Sequence, residues 1–168
     1  MTSPFFLPFK IAVLAAVLML AACGFAPVQP RVEPPAWQNV PARLTLEQAH
    51  DVTIYALSLV GTPYRHGGNT PQAGFDCSGL IGHVYKSQSG LLMPRTVARL
   101  QDAGQNVPGE QLRSGDLVIF GQKGQSTHAG IYVGANRFVH APSSGGEVRL
   151  DNLNSKYWAT QQVAFRRP

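Results

Sequence analysis

The order of its periodicities limits this chain's fold most: helical spacing comes first, and a series of short β-rich runs follows. Thr45 and Gln48 form a capping box, and Leu46, Ala49, Val52, Ala56, Leu59 and Val60 recur at helical spacing until Gly61 ends the run. Residues 61–75, GTPYRHGGNTPQAGF, make a loop dense in glycine and proline. Asp76 then stands as N-cap for a helix through CSGLIGHVYKSQ, which puts Cys77 in its first turn. After a short helical piece at 96–102 come β-rich runs at 117–120, 129–133, 138–141, 148–150 and 162–165, several of them separated by glycine and asparagine turns. Helices followed by antiparallel strands predict an α+β fold, with N-terminal helices packed on a small antiparallel β-sheet.

Residues 11–22, IAVLAAVLMLAA, follow Lys10 and end in small residues, the layout of a secretory signal peptide too short to cross a bilayer as an ordinary helix. The stretch Leu20-Ala21-Ala22-Cys23-Gly24 resembles the bacterial lipobox, in which the chain is cut before a cysteine that then carries lipid. Cys23 is therefore the expected lipidation site, and acylation there meets the need for more than one chain in a stable membrane anchor. Gly24, in place of Asp, resembles lipoproteins sorted to the outer membrane, so the expected location is the periplasmic face of the bacterial outer membrane. From Gly24 to Ala42 the sequence is proline-rich and aperiodic, an extended linker with a reach of about 60 Å in which only Trp37 is suited to dock on the domain. The expected division is signal peptide 1–22, lipidated cysteine and linker 23–43, and one domain at 44–168.

Composition fits one globular core: 44% of the 168 residues are hydrophobic and 14% charged. The net charge of +5 is scattered apart from Arg166 and Arg167, with no basic run interleaved with aromatics, which argues against nucleic acid as a partner. A mild positive charge suits a polyanionic envelope polymer, or simply reflects scattered surface residues. Nothing in the pattern assigns an oligomeric state.

Once Cys23 carries lipid, Cys77 is the remaining thiol, in an oxidising compartment and without a disulfide partner. A first-turn position favours thiolate through backbone N–H groups and the helix dipole. Such a nucleophile needs a base, and of five histidines, His128 and His140 adjoin or lie in β runs that can pack against the Cys77 helix. Position alone leaves two readings open, a Cys-His-His site or a core thiol with two ordinary strand histidines.

A resemblance bears on that choice. GTPYRHGG at 61–68, GFDCSGLI at 74–81, MPRT at 93–96, GDLVIF at 115–120, HAGIYVG at 128–134 and FVHA at 138–141 together resemble the NlpC/p60 family of cysteine peptidases, in family order. The resemblance implies a papain-like core with Cys77 as nucleophile, His128 as base and His140 as the third, polar member. It places Tyr64 beside the thiol, orienting substrate or stabilising an oxyanion together with the Cys77 N–H. It implies no cofactor. Cys77, His128 and His140 are zinc-ligand types, but spacings such as C-x-x-C or H-E-x-x-H are absent, so no metal is expected.

The remaining candidates carry two readings each. Asp76 is expected as a helix cap, with a contact to a substrate amine as its other reading. Ser78 contacts the substrate or is a polar first-turn residue; Arg95 pairs with a substrate carboxylate or with Asp76. His66 departs from the aromatic usual in the family and changes the pocket wall. His50 and His83 fall in helices and are expected to be solvated or packed, and Asp116 shapes the turn into its strand. The implied substrates are peptidoglycan stem peptides, cut at the γ-D-glutamyl bond to the diamino acid or at the D,D crosslink. A lipobox, a short linker and one catalytic domain resemble small outer-membrane lipoproteins that open crosslinks, which favours the latter. A non-catalytic murein-binding lipoprotein and a thiol acyltransferase are the alternatives.

Overall fold

The computed structural model describes residues 43–144 and 146–168. The expected signal peptide, the lipidation site Cys23, Trp37 and the linker as far as residue 42 lie outside the described residues.

Helix α1, Leu46–Ser58, starts with the reciprocal cap: Thr45 Oγ1 accepts the Gln48 N–H at 3.1 Å, and Gln48 Oε1 accepts the Thr45 N–H at 3.0 Å. Two of the N–H groups that a helix start leaves unpaired are thereby satisfied. Ala49, Val52, Ala56 and Leu59 turn into the core, while Leu46 and Val60, at the ends of the run, stay exposed. Helix α2, Cys77–Ser89, has Asp76 as its N-cap. A single turn, α3, spans Val97–Leu100 and is capped by Thr96.

The strands are β1 (Asn69–Thr70), β2 (Gly74–Phe75), β3 (Gln105–Asn106), β4 (Leu117–Gln122), β5 (Gln125–Gly134), β6 (Arg137–His140), β7 (Arg149–Asn152) and β8 (Gln162–Arg167). β1 and β2 pair with each other, and the other six form one antiparallel sheet in the order β3-β8-β4-β5-β6-β7. The five β-rich runs of the sequence are β4 to β8. β5 begins at Gln125 rather than 129, so His128 sits inside the strand and not at its opening. The two-residue strands β1, β2 and β3 are too short for alternation to reveal them.

Side chains alternate across the sheet. Leu117, Ile119, Ala129, Ile131 and Val139 join Val52, Ala56, Leu80, Ile81 and Val84 in the helix-facing core. Val118, Phe120, Tyr132 and Phe138 form a second cluster with Leu112, Leu153, Trp158 and Phe165. The α+β expectation, helices on a small antiparallel sheet, is what the structure shows.

Asp116 does more than shape the turn into β4. Its Oδ2 accepts the Arg113 N–H at 2.9 Å, and its two oxygens accept from Arg167 Nε at 2.9 Å and Nη2 at 2.8 Å. Arg166 donates to the Gln101 carbonyl and the Asn106 side chain, so the terminal basic pair closes the domain rather than forming a surface patch. The Asp116 and Arg167 side chains are only 1% and 4% exposed, and losing one charge strands the other in the core. Asp116→Ala should lower the unfolding free energy by about 3 kcal/mol, and the double variant Asp116→Leu, Arg167→Met should recover most of it. Urea unfolding measures both, and a loss below about 1 kcal/mol in the single variant would contradict a structural ion pair.

Candidate active site

Asp76 builds the start of α2. Its Oδ1 accepts the Gly79 N–H at 2.6 Å, and its Oδ2 accepts the Gly67 N–H at 2.9 Å, tying the preceding loop to the helix. The Ser78 hydroxyl, buried, lies 2.8 Å from the Arg95 carbonyl and 3.0 Å from Asp76 Oδ1, sharing one proton between two acceptors. Arg95 reaches the Asp76 carboxylate at 3.5 Å and donates to the Gly67 carbonyl at 3.3 Å. A methyl group on Gly79 would sit 1.9 Å from the Gly68 carbonyl oxygen, so only glycine lets loop and helix approach this closely. Asp76 is thus the helix cap, and Ser78 and Arg95 close the same network. Their hydrogen bonds run within the protein, and the Asp76 cap is the one the sequence led us to expect.

This frame presents Cys77, half-buried, at the first helical position. The backbone N–H groups of Ser78, Ala129 and Cys77 itself favour its ionised form, so the sulfur lies against β5 beside the residue that follows His128. Tyr64 bridges to Phe75 and is close enough to feel the charges of both Cys77 and Asp76.

Register brings the two histidines together. Gly130 pairs with His140, and the strand period of two then makes His128 a diagonal neighbour of His140 on one face. The two rings meet at 2.8 Å, His128 Nε2 to His140 Nδ1. Gly130 is required for this: a methyl there would come within 2.7 Å of Phe138 Cδ2 and 3.2 Å of His140 Cβ. Phe120, Phe138 and Trp158 enclose the pair, with the Trp158 ring stacked 5.6 Å from that of His128. A cleft of about 680 Å³ opens beside His128, walled among others by Arg149, Asp151, Tyr157 and Trp158.

Burial governs the electrostatics. It pushes the Cys77 thiol above its ordinary range, and Asp76 adds to the shift, against the pull of the three N–H groups. It lowers His128 to about 3, with His140 adding to the effect and Asp151 opposing it. It lowers His140 to about 4, again against Asp151. Burial, then Cys77 and Asp76, raise Tyr64, which keeps its phenol a hydrogen-bond donor. At neutral pH Cys77 is held as a thiol and both imidazoles as neutral rings.

Of the other histidines, His50 and His66 are exposed, and His83 packs in α2, its Nε2 2.9 Å from the Tyr55 hydroxyl. Among the described residues no group of three or more His, Cys, Asp or Glu is arranged to hold a metal ion. Sequence reasoning missed Asp151 and Trp158. Asp151 Oδ2 lies 3.0 Å from His140 Nε2 and accepts from Trp158 Nε1 at 2.9 Å and Arg149 Nη2 at 2.5 Å. The expected strand stopped at 150, one residue short of it; alternation carried one step further would have put Asp151 on the face of Arg149.

A capped thiol beside a strand histidine pair, on helices packed against an antiparallel sheet, is the layout of a papain-like fold. The chain belongs to the NlpC/P60 family, whose pattern matches residues 61–167, and so takes in Tyr64, Cys77, His128, His140 and Asp151. It is 39% identical over 112 residues to the murein DD-endopeptidase MepH of Escherichia coli strain K12, covering 64% of this chain and 41% of that one. To the gamma-DL-glutamyl hydrolase of Bacillus subtilis strain 168 it is 38% identical over 110 residues, covering 64% and 26%. The chain thus spans less than half the length of these two relatives. The NlpC/p60 domain of the peptidoglycan hydrolase SagA superposes with a TM-score of 0.61 at 30% identity, covering 69% of this chain and 96% of that one.

The buried imidazoles give stability a pH dependence of known sign. The unfolded chain protonates its histidines near 6.5, but the folded chain resists until about 4 and 3. The contribution is therefore complete above pH 6.5 and disappears as pH falls toward those values, by on the order of 3 kcal/mol for His140 and 5 kcal/mol for His128. Urea unfolding at pH 7.5, 5.5 and 4 should show this slope in the wild type and lose much of it in a His128→Gln, His140→Gln variant. Equal slopes in the two proteins would contradict neutral buried histidines.

Proposed function

We propose that the chain is a cysteine peptidase that hydrolyses amide bonds in peptidoglycan stem peptides, with Cys77 as nucleophile, His128 as base and His140 as third member. The observation that carries the reading is the 2.8 Å contact between the two imidazoles, next to a first-turn thiol whose ionised form the Ala129 N–H favours. In the proposed reaction, Sγ attacks the carbonyl carbon as its proton passes to His128. The oxyanion is met by the Cys77 N–H and the Tyr64 hydroxyl. His128 then returns the proton to the leaving amine, and water hydrolyses the thioester. No step calls for a metal or cofactor.

The names of the murein DD-endopeptidase and of the peptidoglycan hydrolase SagA support murein as substrate, while the gamma-DL-glutamyl hydrolase is named for a different bond. We favour the D,D crosslink. The lipobox around Cys23 supports an acylated chain held at the periplasmic face of the outer membrane, where an extended linker would let the domain reach the wall.

Digestion of purified sacculi should release tri- and tetrapeptide monomers from crosslinked dimers, and Cys77→Ser should reduce the rate by at least about 10³-fold. Mass spectrometry of the muropeptides reads both. Free dipeptides would move the cleavage to the γ-D-glutamyl bond, and wild-type protein that binds sacculi without releasing fragments would establish a binding module instead.

A further inference from the structure

The contacts at the thiol site do not stop at His140. Its Nε2 is fully buried and has no well-aligned hydrogen bond among the described residues, yet Asp151 Oδ2 stands 3.0 Å away. With His140 neutral, the contact is that of a ring N–H turned toward a carboxylate. A ring nitrogen left unpartnered in the interior is costly, which makes a carboxylate at this distance its natural partner. Register explains the placement: Phe138 pairs with Asp151, one diagonal step from His140, just as Gly130 paired with His140 sets His128 one step away. Three adjacent strands thus deliver His128, His140 and Asp151 in a line.

We propose that Asp151 is a positioning residue of this site, fixing the tautomer of His140 and, through it, that of His128. The inference rests on the reading of Cys77 and His128 as nucleophile and base. An ionised carboxylate only accepts, so the facing His140 Nε2 carries the ring proton. Neutral His140 then has its lone pair on Nδ1, which accepts at 2.8 Å from His128 Nε2. His128 therefore holds its own proton on Nε2, and Nδ1 is left free to take the thiol proton. Without the carboxylate, the opposite arrangement satisfies the pair equally well: His140 Nδ1–H donates, His128 protonates at Nδ1, and the base is blocked.

Asp151 is itself held. Burial pushes its carboxyl up, but the Arg149 and Trp158 donors and His140 outweigh this and keep it below the usual carboxylate range. The alternative role is purely structural, with Asp151 serving only to clamp Arg149 and the Trp158 turn. That role predicts a stability loss but no change of tautomer.

Nitrogen NMR of the full chain, ¹⁵N-labelled at histidine and held near pH 7, separates the two. In the wild type both His128 and His140 should be Nε2–H tautomers. Asp151→Ala should mix the tautomers and lower kcat for muropeptide release by about 10²-fold with little change in KM, and Asp151→Asn, which keeps the shape, should fall between. Arg149→Ala, which breaks the clamp but leaves the carboxylate, should keep the wild-type tautomers. Nδ1–H on His128 in the wild type, or wild-type tautomers and kcat in both Asp151 variants, would overturn the proposal. Because the tautomers are read without substrate, a wild type with the expected tautomers that releases nothing from sacculi counts against the proposed function and not against Asp151.

Discussion

The close passage of β6 past β5 at Gly130 is the constraint on which the rest of the site depends. A side chain at that position would collide with Phe138 and with the Val139 carbonyl oxygen. With glycine there, the strands pair in the one register that sets His128 and His140 diagonally on a common face. From that register follow the imidazole contact, the burial beneath Phe120, Phe138 and Trp158, and the neutral state that burial imposes on both rings. A slip of β6 by one residue would turn Phe138 and His140 to the other face and end the contact with His128.

The helix side of the site is built by a different kind of force. Asp76 draws together the loop at Gly67, the Gly79 amide and the Arg95 guanidinium, so that a single carboxylate fixes where α2 begins. Its charge raises the cost of ionising Cys77, while the backbone N–H groups at the helix start and at Ala129 lower it. The thiol is thus left protonated but surrounded by groups that favour the thiolate once a proton acceptor is present. Electrostatics and register meet at Ala129, which faces the helices with its side chain and neighbours His128 along the chain.

Much of this was legible in the sequence, and what was not has physical reasons. The capping box at Thr45, the N-cap at Asp76 and the five main strands are local patterns, set by spacing and turn chemistry. Cys77, His128 and His140 came into view as candidates through helix position and the blocks that resemble the family. Asp151 did not, because its importance lies in a pairing with Phe138 across strands, which no local pattern encodes. Ser78 is similar: beside a local bond to Asp76, its hydroxyl reaches the Arg95 carbonyl and so joins segments far apart in the chain. Arg167, one of a terminal basic pair in the sequence, is the buried partner of Asp116, a contact between residues 51 positions apart that no local pattern encodes.

The most direct test of the account is titration of the full-length protein with iodoacetamide near neutral pH, with modification at Cys77 followed by peptide mass and sacculus hydrolysis assayed in parallel. The account predicts that hydrolysis falls in proportion to the fraction of Cys77 carrying the acetamide. A protein fully modified at Cys77 that still released muropeptides at the starting rate would contradict it.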